Sequence, residues 1–469
     1  MQKEGIRVET GIDNENRNAE KLLKVLVFTL IFSVMNASMF NVVLPVISAE
    51  FGLSPSEVSW ILTSYMIVYA IGSVTFGKLA DKYRLKDLLT FGLLFFAAGS
   101  VVGLLATEYW MIILGRVLQA SGASVIPATA MIIPVRYFAP EKRGRALGTS
   151  AIGLALGTAL GPIVSGVITS FSDWRFLFFL SLLPLLTLPF FRKYLDDKRG
   201  EDSAIDYLGG SLLAGTVALL LLAITQSSAL FFFIGLALLL LFAWRIRTAA
   251  VPFVQPALFS NKSYSFGLAV AFLATFNSFG LPFVTPQFLD KVNHLTPALI
   301  GLVMFPGALA SALMGRKGGK LADEKGNSYL MILAALLLFA CFVLLSTFVG
   351  VPPLVIVLLL IFGNLGQTFM QIAMSNTISR TLPKEQTGVG MGMYSMLNFI
   401  SGATATSLIG KLLDFGEPGF HLNPAVHDPA VFTYSNIFFV LALLAVVVAV
   451  LYYMQFGREV RHTGESSAS

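Results

Sequence analysis

Apolar residues recur along this chain in runs of about 20, the length a helix needs to cross the hydrocarbon of a bilayer. No other feature restricts the fold as much, because in lipid every backbone N–H and C=O must be bonded within its own segment. Fourteen such runs can be placed, near 22–44, 57–77, 87–106, 110–133, 145–169, 174–191, 208–226, 229–244, 264–286, 297–315, 328–348, 353–376, 387–409 and 434–455. With 56% hydrophobic against 12% charged residues and a mean hydropathy of +0.78, lipid is the expected solvent. The spacing predicts an all-α membrane protein of 14 transmembrane helices.

Basic residues orient the spans, since Lys and Arg near span ends are retained on the cytoplasmic side. With the N-terminus inside, 28 of the 32 fall in inward segments, Arg175, Lys291 and Lys411 fall in outward ones, and Arg116 lies within a span. Both termini are therefore expected in the cytoplasm, and the net charge of +6 is read as basic loops, not a nucleic-acid-binding surface. Residues 1–20 carry Glu4, Glu9, Asp13, Glu15 and Glu20, unlike the basic-then-apolar layout of a cleaved signal peptide, so the first span is expected to direct insertion. The single cysteine, Cys341, sits inside an apolar run and offers no disulfide or thiolate metal site. In the outer loop, roughly 410–433, His421, His427 and Asp428 lack a further ligand at fixed spacing, and a solvated linker is expected. No cofactor and no metal are expected.

The chain repeats itself. Gly77-Lys78-Leu79-Ala80-Asp81 returns 242 positions later as Gly319-Lys320-Leu321-Ala322-Asp323, each between two apolar runs, so two halves share one architecture. A second echo agrees: Ala139 to Gly148 precedes span 5, and Leu382 to Gly392 precedes span 13. The resulting layout is a cytoplasmic tail (1–21), a six-helix bundle (22–191), linkers with two inserted helices (192–263), a second six-helix bundle (264–455) and a tail (456–469). A duplicated bundle with a cleft between its halves is how many secondary transporters are built.

Gly77 to Lys86 resembles the loop 2–3 signature of the major facilitator superfamily. The 6 + 2 + 6 layout is similar to its fourteen-span drug:proton antiporters, including the Gram-positive tetracycline and multidrug efflux transporters, across essentially the whole chain. The resemblance implies a charge lock in this loop, with Asp81 accepting from Lys82, Arg84 or Lys86, and Asp323 in the second copy. Here Arg84 stands where the family usually has Gly, and Asp87 where it often has a base.

Span 4 reads Arg116-Val117-Leu118-Gln119-Ala120-Ser121-Gly122-Ala123, similar to the family's Arg-x-x-Gln-Gly-x-Gly-Ala. An intramembrane guanidinium marks function by default, although a position near the outer end of the span also allows it to snorkel to the surface; Gln119 lies one turn on, on the same face. Span 5 carries Gly153, Gly157, Gly161, Pro162 and Gly166, similar to the antiporter signature of exporters, in which glycines allow close packing and Pro162 is expected to bend the helix. Span 1 holds Asn36 and Asn41 before Pro45, similar to the family pattern Asp-x-Thr-x-x-Asn-x-x-x-Pro, with Asn36 where many members have Asp.

None of the 26 acidic residues falls deep in a span, whereas a proton antiporter ordinarily uses a membrane carboxylate. Span 12 offers a neutral stripe instead, Asn364, Gln367 and Gln371, at i, i+3 and i+7, serving either as substrate lining or as helix–helix glue; Asn277 and Asn398 are candidates of the same kind. The chain is read as a monomeric exporter of an amphipathic small molecule in a bacterial plasma membrane, with proton exchange implied by the resemblance. Two alternatives stay open: an uncoupled or differently coupled exporter of a neutral or anionic lipid-like compound with Arg116 as counter-ion, and a non-transporting receptor on the same fold. No P-loop and no nucleophile with its base is present, so an enzyme is not expected.

Overall fold

The computed structural model describes residues 2–197, 205–383, 386–416 and 418–457. The expected inward cations Lys198, Arg199, Lys384, Arg458 and Arg461 lie outside the described residues, as does the Asp81 side chain. Fourteen spans follow one another: Gln2–Phe51, Pro55–Lys82, Leu85–Leu104, span 4, Pro140–Phe171, span 6, Tyr207–Thr225, Ala229–Thr248, Lys262–Lys291, Pro297–Lys325, Asn327–Thr347, Pro353–Arg380, Thr387–Asp414 and Phe432–Phe456.

Spans 4 and 6 are composite, for a reason visible in the sequence. Span 4 is Tyr109–Ala123 followed by Ile126–Tyr137, with Pro127 in the first turn of the second piece. Span 6 is Phe176–Leu180, a 3-10 turn Leu183–Thr187 and Leu188–Tyr194, with Pro184 and Pro189 each opening a new piece. A proline lacks the N–H the preceding turn requires, so the chain restarts there. Span 5, by contrast, stays one helix through Pro162. Span 1 begins far before residue 22, the polar N-terminal stretch being part of the same helix.

Among the described residues, thirteen spans are long and apolar enough to cross a membrane. Span 13 is the remaining one, and its Ser401, Thr406 and Ser407 are buried. It can be polar because span 2 covers it: the Thr63 hydroxyl lies 3.0 Å from both Thr406 and Ser407.

The helix pairings obey an internal symmetry in which span n of the first half matches span n + 8 of the second. Span 1 packs on 5 as 9 packs on 13, 2 on 4 as 10 on 12, 3 on 4 as 11 on 12, and 3 on 6 as 11 on 14. The halves meet chiefly through two symmetry-related contacts, 2 with 13 and 5 with 10, with span 1 also touching spans 9 and 10. Spans 7 and 8 form a hairpin whose first helix packs on spans 2 and 13. Its base is clipped by Asp206, whose buried carboxylate accepts from the Gly209 and Phe253 amides at 3.0 and 3.2 Å and from Arg245 at 3.0 and 3.1 Å. Burial would raise this carboxyl, but those amides and the Arg245 guanidinium outweigh it and hold it below the usual carboxylate range.

Candidate functional site: a buried arginine and a one-sided cleft

Arg116 is fully buried among spans 1 to 4. Its Nε donates to the Ile61 carbonyl at 3.1 Å, and NH1 donates to Asn36 Oδ1 at 2.8 Å and Gln119 Oε1 at 3.0 Å. Its guanidinium carbon lies 4.1 Å from the centre of the Tyr65 ring and 4.3 Å from that of Phe40. Neutral oxygens and two aromatic faces thus replace a counter-ion, each compensating part of the desolvation. The amides are fixed in turn: Asn36 Nδ2 donates to Ser181 at 2.6 Å and Gln119 Nε2 to Ser100 at 2.9 Å. Snorkelling is therefore not how this charge is accommodated. Arg116 and Asp206 are the only charged side chains buried among the described residues.

An aromatic stack leads from this network to the other half. Tyr65 stacks on Tyr69 at 5.7 Å, and Tyr69 meets Phe399 of span 13 at 4.5 Å.

The glycines of spans 5, 10 and 13 reveal the shape of the cleft. A Cβ on Gly166 would meet the Pro297 carbonyl at 2.6 Å, on Gly301 the Pro162 carbonyl at 2.5 Å, and on Gly410 the Pro55 carbonyl at 2.9 Å. At this end the two halves touch backbone to backbone. The closure is reinforced by Asp414, whose carboxylate accepts from the Ser56 amide at 2.9 Å, and by Ser170, whose hydroxyl accepts from the Ala298 amide at 3.0 Å. Gly148, Gly319 and Gly392 each stand eighteen residues away on the same three helices, and a Cβ there would meet nothing within 4 Å. Eighteen residues are five turns, about 27 Å along the same helix face. The same faces therefore run from contact to empty space, and the halves splay apart toward Gly77, itself open. The cleft is shut at the Asp414 end and open at the Gly77 end.

At its closed apex is a cavity of about 70 Å³ lined by Ser38, Asn41, Thr158, Pro162, Thr285 and Asn364, among others. Asn41 from span 1 and Asn364 from span 12 are brought together here; Asn364 also donates to the Leu360 carbonyl at 2.8 Å. With the cleft shut at this end the space holds a few waters; a ligand, whose sites run to several hundred Å³, would reach from it into the open cleft. The other amides separate. Gln367 donates to the Ser278 carbonyl at 2.6 Å, Asn398 accepts from Thr275 at 2.9 Å, and Gln371 is exposed. Asn277 is buried, and neither its oxygen nor its nitrogen has a protein partner among the described residues.

Gly157 and Gly161 seat span 5 on span 1: a Cβ on Gly157 would meet the Ile31 carbonyl at 2.6 Å, and one on Gly161 would overlap the Ser38 hydroxyl. Only Pro162 and Gly166 face the other half. In the loop after span 2, Arg84 and Lys86 both pair with Asp197, the former at 3.4 Å, and Asp323 is exposed. The hydrogen bond from Lys86, with the charges of Lys86, Arg84 and Arg192, holds the Asp197 carboxyl below its usual range. Sequence reasoning did not find Ser100, Ser181, Asp197 or Asp414, since nothing in their spacing distinguishes them from other small or rim residues. In the outer loop His421 and His427 lie with ring centres 6.3 Å apart, His421 against Phe432.

Known proteins share this architecture. In sequence the chain is 26% identical to the riboflavin transporter RibZ of Clostridioides difficile, over 83% of this chain and 87% of that protein. It is also 26% identical to the putative multidrug resistance protein MdtD of Klebsiella pneumoniae, over 91% and 93%. In structure it resembles the nucleoside transporter NupG, with a TM-score of 0.69 at 13% identity over 93% of this chain and 99% of that one. It also resembles an inward-facing, unoccupied bacterial homologue of the human lysosomal transporter Spinster, with a TM-score of 0.64 at 13% identity over 93% and 97%. The family model described as Major Facilitator Superfamily matches residues 26–406. A duplicated bundle of membrane-spanning helices parted by a one-sided cleft, matched by that model over most of its length, makes this chain a membrane transporter belonging to the major facilitator superfamily.

Proposed function

We propose that the chain exports neutral or weakly charged amphipathic molecules across a bacterial plasma membrane by alternating access, with the Gly77 end in the cytoplasm and protons moving in exchange. One observation carries the reading: a cleft open toward the expected cytoplasmic side ends in an uncharged apex whose lining includes Asn41 and Asn364 from opposite halves. A neutral apex suits substrates bound by hydrogen bonds and apolar contact better than permanent cations. The relative described as a putative multidrug resistance protein supports the drug-like class. Glu57 and Asp414, carboxylates at the outer ends of spans 2 and 13, are candidate groups for proton exchange; Arg116 stays charged throughout.

A second reading is favoured by the same neutrality: uncoupled movement of a planar neutral compound, such as the riboflavin for which one relative is named. The test is substrate-triggered proton movement in proteoliposomes holding a pH gradient, across cationic, neutral and anionic compounds with riboflavin among the neutral ones. Asn41→Leu and Asn364→Leu are each expected to cut transport by about tenfold, the loss of one or two good hydrogen bonds. Transport of a neutral compound without proton movement would replace exchange by the second reading, and preference for a permanent cation would overturn both.

A further inference from the structure

A second cavity shares no lining residue with the apex of the cleft. It measures about 610 Å³ and is walled by Leu213, Phe242 and Ile246 of the inserted hairpin, Phe272 and Leu273 of span 9, and Met396 of span 13, with almost no polar surface. A substrate site carries at least a few polar groups that orient its ligand, and this crevice does not. Its lining residues Phe259 and Ala269 are exposed, so it opens onto the surface that the bilayer covers. It lies toward the end of span 8 and the start of span 9, where Arg247 directly follows Ile246 and Lys262 shares a helix face with Ala269 and Leu273 at i, i+7 and i+11. Both cations are exposed, and among the described residues neither pairs with a carboxylate, whereas Arg245 is committed to Asp206.

We propose that this crevice binds a phospholipid of the inner leaflet, its acyl chain between hairpin and second half and its anionic headgroup at Arg247 and Lys262. Basic groups beside clefts between spans on the cytoplasmic side hold anionic headgroups, and an acyl chain is the one apolar filler always at hand at that depth. The inference rests on the cytoplasmic placement of the Gly77 end, and it does not depend on what is transported.

The test reconstitutes the full chain in phosphatidylcholine vesicles with a trace of phosphatidylglycerol carrying a photoactivatable acyl chain, and maps adducts by mass spectrometry. Adducts are expected to concentrate in segments 242–273 and 393–400, and to fall when Leu273→Trp fills the space but not when Phe272→Ala enlarges it. Arg247→Gln with Lys262→Gln should lower labelling by the phosphatidylglycerol probe at least about fivefold, the scale of interfacial cations, and leave a phosphatidylcholine probe unaffected. Labelling no denser in the crevice than around exposed Phe233 and Leu240 of span 8 would overturn the site. Equal labelling by both probes would overturn the headgroup assignment, and displacement of the probe by a transported compound would give the crevice to substrate instead.

Discussion

Arg116 shows how a full charge is kept inside a membrane bundle without an acid. Its planar fork meets a backbone carbonyl and two amide oxygens while its faces lie on Tyr65 and Phe40. An ammonium cannot copy that geometry. Arg116→Lys is expected to lower transport by about tenfold, or ~1.4 kcal/mol, in a protein that still folds, as checked by initial rates in proteoliposomes. Asn36→Asp places a carboxylate where Arg116 NH1 already donates at 2.8 Å, creating the titratable pair the wild type lacks. It is expected to make transport rates depend on pH and to increase proton movement per substrate; an unchanged pH profile would sever this network from coupling. The prominence of Arg116 and Gln119 was legible in the sequence, because a charge within an apolar run has few explanations. Its partners Ser100 and Ser181 were not, being 16 and 65 residues away and unremarkable in their own helices.

At the level of elements, one glycine stripe serves two interfaces. Gly157 packs span 5 on span 1 within a half, whereas Gly166 packs it on span 10 across the halves. Gly157→Ala should therefore lower the thermal unfolding midpoint, with a cost of about 1–3 kcal/mol for overpacking. Gly166→Ala should instead wedge the closed end apart, leaving the midpoint close to wild type while raising thiol labelling of a cysteine placed at Ser56. The hairpin clip has a pH signature. The Asp206 carboxyl is held below its ordinary 3.8, so its contribution is complete above that value and is lost as pH falls through the lower native value. Melting curves between about pH 5 and pH 3 should show a steeper loss for wild type than for Asp206→Asn, which starts lower at neutral pH. The breaks in spans 4 and 6 at Pro127, Pro184 and Pro189 were not anticipated from the sequence, and neither was the continuity of span 5 through Pro162, because proline is tolerated in a span when neighbouring helices satisfy the freed carbonyl.

For the whole molecule, the decisive feature is a cleft open at one end. Cysteines placed at Ser170 and Ala298, whose hydroxyl and amide are 3.0 Å apart across the closed end, should form a disulfide that abolishes transport reversibly. The native Cys341 is buried and will not compete for the label. Apolar run length, the repeat of Gly-Lys-Leu-Ala-Asp and the alternation of basic loops were enough to set span number, two equivalent halves and the expected sidedness, because lipid forces each crossing to be a self-satisfied helix and so ties the fold to features local in sequence. Which amides line the apex, which helix faces touch at one end and part at the other, and which acid answers Arg84 and Lys86 were decided only by tertiary packing. These depend on the rotation and tilt of whole helices, and a helix whose backbone bonds are satisfied internally leaves both unspecified until its neighbours are in place.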